Sequence, residues 1–115
     1  NDSYYTLFIL APRREGITEL FQLDDADQQR MWAETTALAR VLKALFGADK
    51  MNVATLGNVV SQLHMHVIVR YQADVAWPGP VWGKHPARPY TPAQVRAVRD
   101  RLASELDASF IFSEG

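Results

Sequence analysis

Residues 62–70 read QLHMHVIVR, a run in which polar and apolar side chains mostly alternate. Residues two apart on a β-strand point to the same side of the sheet. A strand here would therefore place Gln62, His64, His66 and Ile68 on one face. The residues between them form a second face that is uniformly apolar and suited to a core. The face with the polar groups is consequently the candidate functional site.

The composition fits one compact domain, which we predict to span residues 1–115. With 48% hydrophobic residues the chain can bury a core, and its formal net charge of -1 gives no global attraction to nucleic acid or anionic membranes. The absence of cysteine excludes disulfides, Cys-ligated zinc and thiol catalysis, and no run of about 18 apolar residues exists to cross a bilayer. We expect a cytoplasmic protein that binds neither nucleic acid nor membrane. Because residue 1 is Asn rather than Met, we also expect that residues upstream are missing.

Two further strands are predicted beside the histidine run. Residues 4–11 are almost continuously apolar and rich in aromatic side chains, and residues 50–56 read KMNVATL. The dipeptide Gly57-Asn58 is a turn signal, so the second of these strands is expected to pair with the histidine strand as an antiparallel hairpin. The histidine strand would then be central or nearly central in the sheet.

A long amphipathic helix is predicted between the first two strands. Asp24 can serve as its N-cap, and Gly47 can supply its C-terminal cap. The apolar residues expected to face the core are Met31, Leu38, Leu42 and Leu45.

The C-terminal part of the chain is predicted to be a loop followed by a helix. Residues 77–90 are rich in Pro and Trp, which argues against regular structure. Thr91 and Gln94 form a capping box at the start of a helix that we predict over residues 91–106. The tail over residues 107–115 has no assigned role.

Two histidines on one strand face leave two chemical interpretations open. Imidazoles at this spacing can reach one metal ion, but a third ligand is needed, and the remaining histidine, His85, lies in the Pro-rich loop. Alternatively, a neutral imidazole can attack phosphorus while neighbouring donors hold the anionic oxygens. His66, the Gln62 amide and the Gly57-Asn58 turn would supply such donors. The pattern also fits two half-exposed strand histidines with no role in chemistry.

Residues 51–70, MNVATLGNVVSQLHMHVIVR, resemble the signature of the histidine triad (HIT) superfamily. That signature alternates three histidines with apolar residues after a Gly-Gln or Gly-Asn turn. The resemblance extends upstream through residues 4–23 and covers roughly the first two-thirds of the chain. It implies an α+β fold of the HIT type, in which a long helix and a C-terminal helix pack on an antiparallel sheet. It also implies a homodimer.

By position, the resemblance implies catalytic roles for three residues. His64 corresponds to the central histidine, which becomes nucleotidylated when its ring attacks the α-phosphate. His66 corresponds to the third histidine and would donate a hydrogen bond to a phosphate oxygen. Gln62 stands where the family has its first histidine. Because an amide keeps a donor and an acceptor but cannot titrate, slower activity is expected.

Three further residues correspond to substrate-binding positions of the family. Asn58 would touch phosphate, and Gly57 beside it would permit close approach of the backbone. Asn1 resembles the residue that binds the ribose. Apolar residues of the first strand, such as Leu7 or Ile9, could line the slot for the base.

The resemblance therefore implies a nucleotide hydrolase or transferase that acts at the α-phosphate of a purine nucleotide. The substrate would be of the dinucleoside polyphosphate or nucleoside phosphoramidate type. No metal site and no firm cofactor are implied, although a divalent cation could accompany polyphosphate substrates. The alternative is a non-catalytic nucleotide-binding or regulatory module, which Gln62 keeps open. Trp77 and Trp82 either pack the loop or a dimer interface, or one of them stacks near the substrate.

Overall fold

A computed structural model describes residues 6–82 and 91–103 of the chain. Within that part, one antiparallel sheet contains the strands β1 (Thr6–Leu10), β2 (Lys50–Ala54) and β3 (Met65–Arg70), in the order β1-β3-β2. The expected α+β class and the central position of the histidine strand are confirmed. Because β3 has a neighbour on each side, its backbone is fixed by hydrogen bonds along both edges.

The connection from β2 to β3 is longer than the predicted hairpin turn. β2 ends at Ala54 and β3 begins only at Met65, so Gln62 and His64 precede the strand. The reason is a competing contact with the chain between β1 and the first helix. The backbone N–H of Leu63 donates to the carbonyl of Ile17 at 2.7 Å, which draws this segment away from β2.

The long helix, α1 (Asp25–Phe46), begins and ends where the sequence predicts. The Asp24 side chain accepts a hydrogen bond from the backbone N–H of Asp27 at 2.8 Å and so caps the first turn. Gly47 has the left-handed conformation, with a φ of 60°, and its N–H donates to the carbonyl of Lys43. A residue with a side chain would be strained at this φ. A short 3₁₀ turn, Leu20–Gln22, precedes the helix.

The main core lies between α1 and the face of β3 that carries Val67 and Val69. The buried residues of this core are Leu38, Val41, Leu42, Ala48, Val67, Val69 and Val98. The prediction that Leu45 also faces the core was wrong, since this side chain is 37% exposed. At this end of the helix Phe46 and Ala48 pack on the core instead.

The second helix, α2 (Pro92–Ala103), begins at the predicted capping box. The backbone N–H of Thr91 donates to Gln94 Oε1 at 3.0 Å, and the N–H of Gln94 donates to Thr91 Oγ1 at 3.1 Å. Its Val98 is fully buried in the core with α1. Asn1, His85, most of the predicted loop and the tail lie outside the described residues. Neither described helix is long and apolar enough to cross a membrane.

Candidate active site

The structure brings His64 and His66 together at the start of β3. Their ring centroids are 4.9 Å apart, and the rings meet edge to face at 67°. His66 lies within the strand, opposite Ile9 of β1 and Ala54 of β2. His64 lies one residue before the strand begins. The two imidazoles can therefore contact one small ligand, as their spacing in the sequence suggested.

A hydrogen bond fixes the orientation and the tautomer of His64. Its Nδ1 lies 2.6 Å from the backbone carbonyl oxygen of Gln62. Because a carbonyl oxygen only accepts hydrogen bonds, we assign the ring hydrogen to Nδ1, which donates it. In the neutral ring the other nitrogen, Nε2, then keeps a free lone pair. Of the two ring nitrogens of His64, Nε2 is therefore the one that is chemically able to accept a proton or attack an electrophile.

Burial favours the neutral form of His66, and one of its ring nitrogens has no hydrogen-bond partner among the described residues. Burial lowers the pKa of His66 below its usual 6.5, and the charge of a protonated His64 lowers that pKa further. Its Nδ1 is buried and has no hydrogen-bond partner among the described residues. An unpaired buried nitrogen costs about 1–3 kcal/mol.

Gln62 contacts the site through its backbone rather than through its amide. Its carbonyl accepts the hydrogen bond from His64, while its side-chain Nε2 donates to the backbone carbonyl of Arg14 at 3.1 Å. The expectation that Gln62 shares the strand face of the histidines therefore needs correction. Strand alternation does not reach position 62, because β3 begins at Met65.

The Gly57-Asn58 turn lies in the same connection as His64. Gly57 has a φ of 76°, and a Cβ at this position would have ordinary contacts of 3.8 and 3.9 Å with the carbonyls of Ser61 and Val60. Glycine is therefore needed here for its backbone conformation rather than for space. The Asn58 side chain is exposed. Asn1 lies outside the described residues, so its proposed contact with ribose stays a prediction.

A buried ionic cluster at the opposite end of β3 from the histidines was not predicted from the sequence. Arg70 is 1% exposed and donates to both carboxylate oxygens of Asp74, at 2.8 and 3.1 Å. It also donates to Asn52 Oδ1 at 2.7 Å and to the carbonyl of Gly79 at 2.8 Å. One signal was present in the sequence, since Arg70 lies at even spacing from His66 and must share its strand face.

The two tryptophans of the segment after β3 have different surroundings. The ring of Trp77 lies over the guanidinium of Arg70, 5.5 Å from its central carbon to the ring centroid. The ring of Trp82 meets His66 edge to face at 5.3 Å and packs with Ile68. Trp77 therefore packs the loop, whereas Trp82 borders the histidine pair.

The first strand contributes apolar residues near the histidines. Leu7 and Trp82 pack on the buried cluster of Ile68 and Val81, while Ile9, the partner of His66 in β1, is 56% exposed. Among the described residues, no group of three or more His, Cys, Asp or Glu side chains is arranged to hold a metal ion.

Comparisons with known proteins agree with the signature around β3. The profile of the HIT domain family matches residues 1–73. A solved histidine triad protein from Marinobacter aquaeolei VT8 is 53% identical over 90% of this chain and 76% of its own, with a TM-score of 0.76. Histidine triad proteins from Sinorhizobium meliloti 1021 and Bradyrhizobium japonicum are 42% and 38% identical, with TM-scores of 0.77 and 0.78. They cover 92% and 87% of this chain, and the match spans 78% of each of them. No curated protein matches the sequence.

Proposed function

Because this chain belongs to the HIT domain family, we propose that it is a nucleotide hydrolase or transferase with His64 as its nucleophile. The reaction takes place at the α-phosphate of a purine nucleotide that is part of a dinucleoside polyphosphate or a nucleoside phosphoramidate. The observation that carries this proposal is the hydrogen bond from His64 Nδ1 to the Gln62 carbonyl. It leaves the Nε2 lone pair free beside His66, which is what attack on phosphorus requires.

The reaction proceeds in two displacements at the same phosphorus atom. In the first, Nε2 of His64 forms a bond to the α-phosphorus, and the bond to the leaving group breaks. In the second, the oxygen of a water molecule forms a bond to that phosphorus, the N–P bond breaks, one proton of the water passes to solvent, and the nucleoside monophosphate is released. If another hydroxyl or phosphate takes the place of water, the protein acts as a transferase. His64 Nδ1 keeps its hydrogen bond throughout and stabilises the charge that develops on the ring.

His66 holds the phosphate while charge develops on its oxygens. An imidazole whose pKa is lowered stays neutral near pH 7 and therefore always has one N–H to donate. Asn58 and the backbone near Gly57 are the further phosphate contacts that we propose. Ile9, which is exposed beside His66, is a candidate contact for the base.

Position 62 has no titratable group that could protonate a leaving group. An amide cannot give up a proton, and its Nε2 is already engaged with the Arg14 carbonyl. An amine must be protonated as it leaves phosphorus, whereas a polyphosphate can depart as an anion. We therefore expect faster turnover of a dinucleoside polyphosphate than of a phosphoramidate.

Mass spectrometry of the trapped intermediate tests the proposal. The protein is mixed with diadenosine tetraphosphate, quenched at alkaline pH and analysed intact and as peptides. The wild type should gain one adenylate on the peptide that carries His64, and His64→Ala should gain none. His66→Gln keeps a donor, so it should react more slowly but at the same histidine. Equal nucleotide release by wild type and His64→Ala, or an adduct on His66, would contradict the assignment.

A non-catalytic nucleotide-binding module is the second candidate, and Gln62 is the observation that favours it. Such a module would bind AMP through His66 and Asn58 but release no product from any substrate. Calorimetry with AMP, run beside the turnover assay, separates the two functions. We further propose a cytoplasmic homodimer, whose mass can be measured by light scattering.

A further inference from the structure

The chain that follows β3 turns back and runs over the strand face that carries His66. That face also carries Ile68 and Arg70, because the three residues are spaced by two. The contacts join Gly79 to Arg70, Val81 to Ile68, and Trp82 to His66. Residues 79–82 therefore run antiparallel to β3 across this face and end at the histidine pair.

The turn that allows this return is built around one buried ion pair. The side chains of Arg70 and Asp74 are only 2% and 7% exposed. Asp74 also accepts hydrogen bonds from three backbone N–H groups, those of Tyr71, Ala76 and Trp77, at 2.8–3.2 Å. The carboxylate thus shapes residues 71–77 into a turn, while its partner Arg70 belongs to the central strand.

Arg70 connects this turn to two further parts of the structure. Its Nη1 donates to Asn52 on β2, and its Nη2 donates to the carbonyl of Gly79, where the returning segment begins. A planar guanidinium can make these bonds together because its donors have fixed directions, which a lysine ammonium cannot reproduce. A buried ion pair adds little net stability compared with apolar residues of similar size. The geometry that it imposes is thus its more specific effect.

We propose that Arg70 and Asp74 are positioning residues of the active site, which hold residues 71–82 so that Trp82 is seated against His66. In this arrangement Trp82 limits rotation of the His66 ring and shields it from water. The burial that lowers the pKa of His66 agrees with this shielding. The catalytic part of the inference rests on the proposed function, because it assumes that His66 holds the phosphate. The contact between Trp82 and His66 can be measured without any turnover.

NMR spectroscopy of the histidine ring protons gives a direct readout of the contact. An aromatic ring current shifts the signals of protons that lie near it, so Trp82→Phe should move the His66 signals. Arg70→Lys should move the same signals, although residue 70 lies four positions along the strand. Combining the two substitutions should add little beyond Trp82→Phe, because Arg70 acts through Trp82. The His66 signals are identified by their absence from His66→Gln.

A matched control separates positioning from general loss of stability. Val41→Ala removes buried volume from the core on the opposite face of the sheet, so it should destabilise the protein but leave the His66 signals in place. If Arg70→Lys does not fold, Asn52→Ala removes only one of the hydrogen bonds of Arg70 and should give a smaller shift. Folded Arg70→Lys or Asn52→Ala with unchanged His66 signals would overturn the inference. So would an equal shift in Val41→Ala.

Kinetics then test the effect on catalysis. If the wild type turns over substrate, Arg70→Lys should lower kcat by up to about 100-fold, the scale of a misplacement of about 1 Å, with a smaller change in KM. Absence of turnover in the wild type would refute the proposed function but leave the NMR test of the contact valid. Normal kcat in folded Arg70→Lys, with adenylate still attached to His64, would refute the positioning role alone.

Discussion

Replacement of Arg70, the last residue of β3, by methionine should strongly destabilise the protein. Methionine has similar length but no charge and no donor. The substitution leaves the Asp74 carboxylate buried without its cation, and it removes the donor that serves Asn52 and the Gly79 carbonyl. Asp74 keeps its three backbone N–H donors, so hydrogen bonds still stabilise part of the negative charge of the carboxylate.

The expected magnitude follows from the burial of the pair. Breaking a buried ion pair by removing one partner costs about 3–5 kcal/mol. For a chain of 115 residues, about 1 kcal/mol corresponds to a fall in Tm of roughly 3–6 °C, which gives a loss of roughly 9–30 °C. Asp74→Asn should cost about 3 kcal/mol or more, because it leaves the guanidinium buried without its counter-charge. The double substitution leaves no buried charge, so its cost should be smaller than the sum by about 1–3 kcal/mol.

Urea denaturation at pH 7 measures these free energies of unfolding, provided that the m-value is unchanged between variants. Additivity of the two single effects within about 0.5 kcal/mol would refute the reasoning, because independent sites behave in that way. A pH series adds a second check. Burial raises the pKa of Asp74, but hydrogen bonds from Arg70 and the backbone outweigh this, and the pKa falls below 3.8. The stabilisation is therefore present above pH 3.8 and is lost as the pH falls through the lower value, so wild type and Asp74→Asn should converge in acid.

Three further predictions concern the histidine pair and the long helix. Gln62→Ala should lower turnover by less than about tenfold, because His64 keeps its hydrogen bond to the backbone carbonyl of residue 62. Gln62→His should speed phosphoramidate cleavage. A complete loss of turnover in Gln62→Ala would show that the amide itself is essential. NMR titration of His66 should give a pKa below 6.5. The free energy of unfolding should therefore rise with pH up to about pH 6.5 in the wild type but not in His66→Gln. A pKa above 6.5 would contradict the assigned burial. Asp24→Ala should cost about 1 kcal/mol in urea denaturation through loss of the cap on the Asp27 N–H, and an unchanged midpoint would show that the cap contributes nothing.

Features that depend on neighbours in sequence were predicted well. The N-cap at Asp24, the left-handed cap at Gly47 and the capping box of Thr91 all follow from short patterns with a local physical cause. The central strand was also predicted, because the alternation that signals a strand is itself a local pattern.

Features that depend on distant contacts were predicted less well. The start of β3 was placed three residues too early, because the contact between Leu63 and Ile17 cannot be read from either segment alone. Leu45 was assigned to the core on periodicity, but a helix position near the end of the element is buried only if something packs on it. A local pattern indicates which secondary structure and which face a residue can adopt, whereas tertiary packing determines whether the residue is paired or buried there.

The sequence by itself determined the class of the fold, the family signature and the presence of two neighbouring imidazoles at one end of a central strand. Strand alternation follows from backbone periodicity, and helix caps follow from local hydrogen bonds and backbone conformation. Neither needs tertiary context. Only the tertiary structure decided that the Gln62 backbone, rather than its side chain, fixes His64, and that Trp82 returns to border His66. It also placed Arg70 in a buried position, where hydrogen bonds join it to Asn52, Asp74 and Gly79. Such contacts join residues far apart in the sequence, and their energies depend on burial, which the order of residues does not reveal.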